Sequence, residues 1–123
     1  METKVSKKAA SCPVETTLKV LSGRWKVLII QFLLERPRRF GELSRCLGPV
    51  SARTLTKQLR ELEEDGLILR KDFEQISPKV EYSVSELGKM AEPILLAMGV
   101  LGEALENRME KSSRISKKTD AHG

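Results

Sequence analysis

Apolar positions near the start of the chain recur with the period of a helix. In "CPVETTLKVL", Val14, Leu18 and Leu21 fall at i, i+4 and i+7, and Pro13 stands where a helix accepts proline, in its first turn. Gly23 closes this short amphipathic segment. "RWKVLIIQFLLE" is apolar almost all round, which predicts a buried central helix stopped by Pro37. Trp25 reads as part of the core, with base stacking as its alternative role.

Two short helices come next. "RRFGELSRCL" sets Phe40, Leu43 and Leu47 at helical spacing, and "GPV" breaks the chain. Ser51 then opens another helix, because its hydroxyl can accept from a free amide of the first turn. Short helices joined by a Gly-containing turn are a helix-turn-helix candidate. Past Gly66, a C-cap, the period drops to two. "LILRKDF" and "VEYSV" flank "EQISPK" as the arms of a β-hairpin, with Val80, Tyr82 and Val84 on one face and Glu81 and Ser83 on the other. Ser85 caps a long helix to about Arg108, carrying Leu87, Ala91, Ile94, Met98, Leu101 and Leu105 every three or four residues. Pro93 inside it predicts a kink or a restart.

Charge changes the reading of "SARTLTKQLRELEEDGLI". On a helical wheel Ala52, Leu55, Leu59 and Leu62 cluster on one side, and Arg53, Lys57 and Arg60 share a narrow arc opposite. Glu61, Glu63, Glu64 and Asp65 follow at the C-terminal end, where the helix dipole disfavours acids. A recognition helix accounts for this order: its first turns enter the major groove, and the acids limit the contact. Arg53 and Lys57 suit guanine or phosphate, Gln58 suits adenine, and Ser51, Thr54 and Thr56 suit phosphate or base. An ordinary surface helix with Lys57–Glu61 and Arg60–Glu64 ion pairs is the competing account. Arg70, Lys71 and Lys79 on the hairpin, with Arg38 and Arg39, are the expected flanking backbone contacts.

Composition sets the bounds. At 123 residues, 32% charged and 40% hydrophobic, the chain predicts one soluble domain over 12–110 with basic disordered tails at 1–11 and 111–123. No apolar run, "VLII" included, is long enough to span a bilayer, and the first residues lack a secretion signal, so the expected compartment is cytoplasmic. The net charge of +5 lies in the two tails, while residues 19–60 hold ten Lys/Arg against two acids and residues 61–110 hold five against twelve. Such polarisation inside a neutral domain is the footprint a phosphate backbone needs. Cys12 and Cys46 have no CxxC spacing and His122 is the one histidine, which predicts no metal site, no cofactor and no enzyme. Cys12 precedes Pro13 at a helix start, where the dipole favours a thiolate; it is a candidate redox or electrophile sensor or simply a cap residue. Cys46, beside Leu47, reads as a half-buried small apolar residue.

The whole order of elements resembles a winged helix-turn-helix: mainly α with a small β-hairpin. "CPVETTLKVLSGRWKVLII", "RRFGELSRCL", "SARTLTKQLRELEEDGLI" and "SPKVEYSVSELG" resemble, in order, four segments of the HxlR-type transcriptional regulators, relatives of the MarR group. The likeness runs from about Cys12 to Leu105, with departures at Ser22 and Cys46 that leave the DNA face untouched. It implies a homodimer on palindromic double-stranded operator DNA, dimeric through its terminal helices. The interface expected is Val14, Leu18, Leu21, Leu87, Ile94, Met98, Leu101 and Leu105. In some HxlR-type regulators a cysteine at the position of Cys12 is a sensor. A winged helix that binds only protein is the alternative function, since fold alone does not settle it.

Overall fold

In a computed structural model, which describes residues 12–73 and 79–122 (side chains through 113), the predicted helices form in the predicted order. They are α1 (Pro13–Val20), α2 (Arg24–Glu35), α3 (Phe40–Leu47) and α4 (Ala52–Glu64). The hairpin is β2 (Ile68–Phe73) and β3 (Lys79–Val84), followed by a single turn, α5 (Glu86–Lys89), and the long α6 (Ala91–His122). The segments 1–11 and 74–78, which hold the N-terminal tail and most of the hairpin tip, lie outside the described residues.

The hairpin has a third strand that periodicity did not reveal. β1 (Arg38–Arg39) pairs antiparallel with β3, so the sheet order is β1-β3-β2, with Arg38 opposite Tyr82 and Arg39 opposite Glu81. Two residues are too few to show a period. β3 is thus the central strand, paired with β2 along its length and with β1 at Glu81 and Tyr82, and it is half-buried at every position, without the one-sided burial its alternation predicts.

The core gathers on α2. Ile29, Ile30 and Leu33 of α2, Leu43 and Leu47 of α3, Leu55, Leu59 and Leu62 of α4, and Ile68 of β2 are all at 7% exposure or less; α2 packs on α3 and α4, and α4 on β2. Each such side chain removed from water contributes roughly 1.5–3 kcal/mol before the entropy of ordering it is counted. Trp25 is only half-buried, with the Arg24 guanidinium 4.5 Å from its ring centre.

Two glycines fix the end of α4. Gly66 has φ 80°, and its amide donates to the Glu63 carbonyl while Leu67 donates to Leu62, each at 3.0 Å. This pair of bonds is the Schellman closure, and it needs the left-handed conformation glycine adopts without strain. The strand then runs out and returns to the same place. Ser85 Oγ donates to the Gly66 carbonyl at 2.6 Å and accepts from the Gly88 amide at 2.9 Å, and the Ser85 amide donates to the Leu67 carbonyl at 3.0 Å. Gly88 lies against the Leu67 carbonyl so closely that a Cβ there would collide with it. The end of α4 and the exit of the hairpin are thus stitched together by "SELG".

The chain divides after Ala91 into two compact units, the second beginning at Glu92. Of the two outcomes expected at Pro93, the restart is the one found: α5 ends at Lys89, α6 begins at Ala91, and Pro93 sits in the first turn of α6, where its missing N–H costs nothing. α6 continues to His122, beyond the end expected near Arg108, in place of a tail at 111–122. Between Gly102 and Gly123 there is neither Gly nor Pro, and Ala, Glu, Lys and Arg favour helix.

Candidate nucleic-acid interface

α4 presents two faces of opposite character. Leu55, Leu59 and Leu62 are at most 1% exposed, whereas Arg53, Lys57 and Arg60 all reach solvent. Ala52, placed with the leucines on the wheel, is exposed, so the apolar face begins one turn later. A shallow depression along the outer side is lined by Ala52, Arg53, Thr56, Lys57 and Arg60. Neither Lys57 nor Arg60 forms an ion pair among the described residues, so the Lys57–Glu61 and Arg60–Glu64 bridges of an ordinary surface helix are not made.

The hydroxyls at the start of α4 are committed inside the helix. Ser51 Oγ accepts from the Thr54 amide at 3.0 Å, the predicted N-cap, and donates to Thr54 Oγ1 at 2.9 Å. Thr56 Oγ1 donates to the Ala52 carbonyl at 2.7 Å. Gln58 is half-buried. The cationic stripe is therefore the part of the predicted set with the least internal commitment.

The strands carry the flanking cations unevenly. Arg70 and Lys71 are exposed on β2, with the Lys71 ammonium 4.9 Å from the Phe73 ring centre, and Lys79 is half-buried at the start of β3. Arg39 is exposed, and its backbone amide donates to Glu42 Oε1 at 3.0 Å. Together with a 3.1 Å bond from Arg36, that contact holds the Glu42 carboxyl below its ordinary range, the Arg39 amide being the larger cause. Arg45, which no sequence pattern singles out, lines a second depression beside Arg36 and Arg39.

Arg38 does not belong to this set. The sequence places it on the DNA backbone, but it is 7% exposed and its guanidinium is spent inside the domain. Nε donates to the Phe32 carbonyl at 3.0 Å, one terminal nitrogen pairs with Glu35 at 2.6 Å, and the other points to Cys46 Sγ at 3.4 Å. A run "RR" gives no sign of which arginine turns inward; the β1–β3 pairing decides it.

A second inward cation also escapes the sequence pattern. Lys26 of α2 is 6% exposed, and its ammonium lies 2.8 Å from Glu61 of α4. That hydrogen bond is the main cause of a lowered Glu61 pKa, with the fields of Lys26 and Lys57 adding to it. At least one acid of the C-terminal group thus serves a buried partner, in addition to any part it has in bounding the outer contact.

Cys12 is exposed at the N-cap of α1, and its carbonyl accepts from the Thr16 amide at 2.9 Å. Cys46 is half-buried, as expected. Of the apolar residues expected at an interface, Leu21 is half-buried, and the other seven, Val14, Leu18, Leu87, Ile94, Met98, Leu101 and Leu105, are exposed. Among the described residues no helix is long and apolar enough to cross a membrane.

This arrangement has counterparts. A family model described as HxlR-like helix-turn-helix matches residues 20–110. The HTH-type transcriptional regulator YdeP of Bacillus subtilis (strain 168) is 42% identical over 109 residues, spanning 89% of this chain and 85% of YdeP. Among solved structures, the redox regulator HypR in its reduced form shares 42% identity at a TM-score of 0.77, covering 81% of this chain and 99% of that one. Its oxidised form shares 45% identity at a TM-score of 0.71, over 76% and 96% of the two chains. These relatives are regulators, not enzymes. With its mainly helical winged fold and its helix-turn-helix, the chain belongs to the HxlR-like family of DNA-binding transcriptional regulators.

Proposed function

We propose that this protein is a cytoplasmic, homodimeric regulator that reads a palindromic operator through α4 in the major groove. The observation that carries the reading is the division of α4 into a buried leucine face and an exposed stripe of Arg53, Lys57 and Arg60 without ion-pair partners among the described residues. Arg53 near the helix start reads a guanine edge, and Lys57 one turn on meets phosphate. Gln58 is the adenine reader where docking reaches it, and Ser51, Thr54 and Thr56 offer backbone or base contacts. Arg70, Lys71, Lys79 and Arg39, with Arg45 beside it, hold the flanking phosphates. The exposed apolar faces of α1 and α6, together with Leu87, meet their two-fold mates in the dimer. Two recognition helices then lie about 34–36 Å apart, or a multiple of that, in successive major grooves.

The test begins with selection of bound sequences from a random duplex pool. Arg53→Ala then costs roughly 1–3 kcal/mol and relaxes one position per half-site. Lys57→Ala weakens all sequences alike and lowers the salt slope by about one unit. Wild-type affinity in the Arg53→Ala, Lys57→Ala double variant overturns the α4 reading, whereas a wild type that binds no duplex at low salt leaves a winged helix that binds only protein.

A thiol input is supported by the exposure of Cys12 and by the relative HypR, whose name is that of a redox regulator. Modification of Cys12, at the start of a helix assigned to the dimer, shifts the recognition helices and releases DNA. Diamide treatment of the bound complex is expected to release wild type and spare Cys12→Ser. Equal release in both leaves Cys12 a cap residue.

A further inference from the structure

Lys57 and Glu61 stand four residues apart on α4, the spacing at which a lysine and a glutamate normally bridge on a helix surface. They do not bridge. The carboxylate turns to Lys26 instead, 2.8 Å away, although Glu61 is 37% exposed and Lys57 is exposed. The reason lies in the cost of each alternative. Lys26 has only 8% of its side chain in water, and an ammonium so placed requires a counter-charge. Lys57 can be hydrated and loses little without one. Burial of one lysine therefore decides the partner of a carboxylate that two lysines could share.

We infer that Lys26 is a positioning residue for DNA binding: by holding Glu61, it keeps the Lys57 ammonium available to a DNA phosphate. Without this arrangement α4 would carry its own competitor. A carboxylate one turn away would neutralise Lys57, and a neutralised lysine releases no counterion when DNA arrives. The field of Lys57 already contributes to the lowered pKa of Glu61, so the two groups are within electrostatic reach of one another. Lys26 itself touches no DNA; it acts through Glu61. The inference rests on the groove reading of α4, and the experiment separates the two.

The experiment is fluorescence anisotropy on a duplex selected by the wild type, titrated across a series of KCl concentrations. Lys26→Met fills the buried site with an apolar chain of similar length and leaves Glu61 in contact with water. Released, Glu61 turns to Lys57. Affinity is expected to fall about twofold per half-site near 0.1 M salt, which is the most an exposed pair at this spacing can withhold, and the salt slope by part of the ~0.9 per protomer that one phosphate contact carries. In the Lys26→Met background, Lys57→Ala then costs less than it does in the wild type, because part of the same contact is already withheld. Lys26→Met combined with Glu61→Gln restores both affinity and slope, since the amide cannot neutralise Lys57. Glu61→Gln alone still offers Lys26 an acceptor and binds at least as tightly as wild type, which tests the inference even if Lys26→Met folds poorly. Thermal melts accompany each variant. Lys26→Met with wild-type affinity and slope overturns the inference while the groove reading stands. So does a double variant as weak as Lys26→Met, because the loss then comes from a missing tether and not from the Glu61 charge. A wild type that binds no duplex at low salt removes the groove reading itself, and this inference with it.

Discussion

Leu55, Leu59 and Leu62 on α4 and Ile94, Met98, Leu101 and Leu105 on α6 follow the same three-or-four spacing, yet they end in opposite surroundings. The first group is at most 1% exposed; the second lies between 40% and 60%. Spacing announces that a helix has an apolar face but is silent about what covers it. For α4 the cover is in the same unit of the chain, supplied by α2 and β2. For α6, and for Val14 and Leu18 of α1 at 69% and 66% exposure, it is not supplied by the described residues. Exposed apolar faces of this kind mark interaction sites, and the occupant proposed for them is a second copy of the chain.

The largest expected effect comes from breaking the covered side. Leu59→Ala leaves a cavity in the core, where Leu59 is 1% exposed, at a cost of about 2–5 kcal/mol. Urea titration at fixed protein concentration measures it. A loss below about 1 kcal/mol would mean that α4 is loosely seated, and a loosely seated helix could not present a fixed stripe to a groove.

A smaller effect, of a different kind, is expected on the uncovered side. Leu101→Ala should alter the unfolding of an isolated protomer by no more than about 0.5 kcal/mol, as for other exposed positions. Its cost should appear in the dimer dissociation constant, at about 1 kcal/mol or more per copy if Leu101 lies in the centre of the interface. Sedimentation over a dilution series, paired with melts below the dissociation constant, separates the two quantities. If Leu101→Ala costs a dilute sample as much as Leu59→Ala does, the face of α6 is covered by its own chain and the contrast with α4 disappears.

Legibility in the sequence follows the same division. Elements with a repeated pattern could be read: α4 with its two faces, the hairpin arms, the Ser51 cap and the Gly66 stop. Features that depend on one residue meeting another far away could not. Lys26 sits in an otherwise apolar helix, and nothing local shows whether it snorkels outward or turns inward to Glu61, 35 positions on. Arg38 and Arg39 are adjacent and chemically identical, and a two-residue strand sends one into the core and leaves the other outside. Ser85 reads as a helix start; its closer task with Gly88, joining the end of α4 to the exit of the hairpin, needs the chain's return path. In the candidate interface, the cations of α4 were legible because they alternate with leucines. Around α3 only Arg39 was, because Arg38 is used internally and Arg45 follows no stripe.

The smallest expected effect tests the covered side at its charged edge. Glu61 has its pKa lowered below the usual value of 4.5, chiefly by the hydrogen bond from Lys26. A carboxylate whose folded pKa lies below its unfolded one binds fewer protons in the folded state between the two values. Its contribution to stability is therefore complete above about pH 4.5 and fades as the pH falls through the depressed value. Glu42, lowered by the Arg39 amide and by Arg36, titrates in the same window, so the wild-type loss is a composite. Glu61→Gln removes one component: at neutral pH it should be less stable than wild type, because Lys26 then has a neutral partner. On acidification its stability should fall less steeply, and the two curves should converge below both pKa values. Urea midpoints at steps from pH 7 to pH 3 give the comparison. Parallel curves would show that the Glu61 carboxylate is no more favoured in the folded chain than in the unfolded one, and the Lys26 contact would then be a bond without a net electrostatic role.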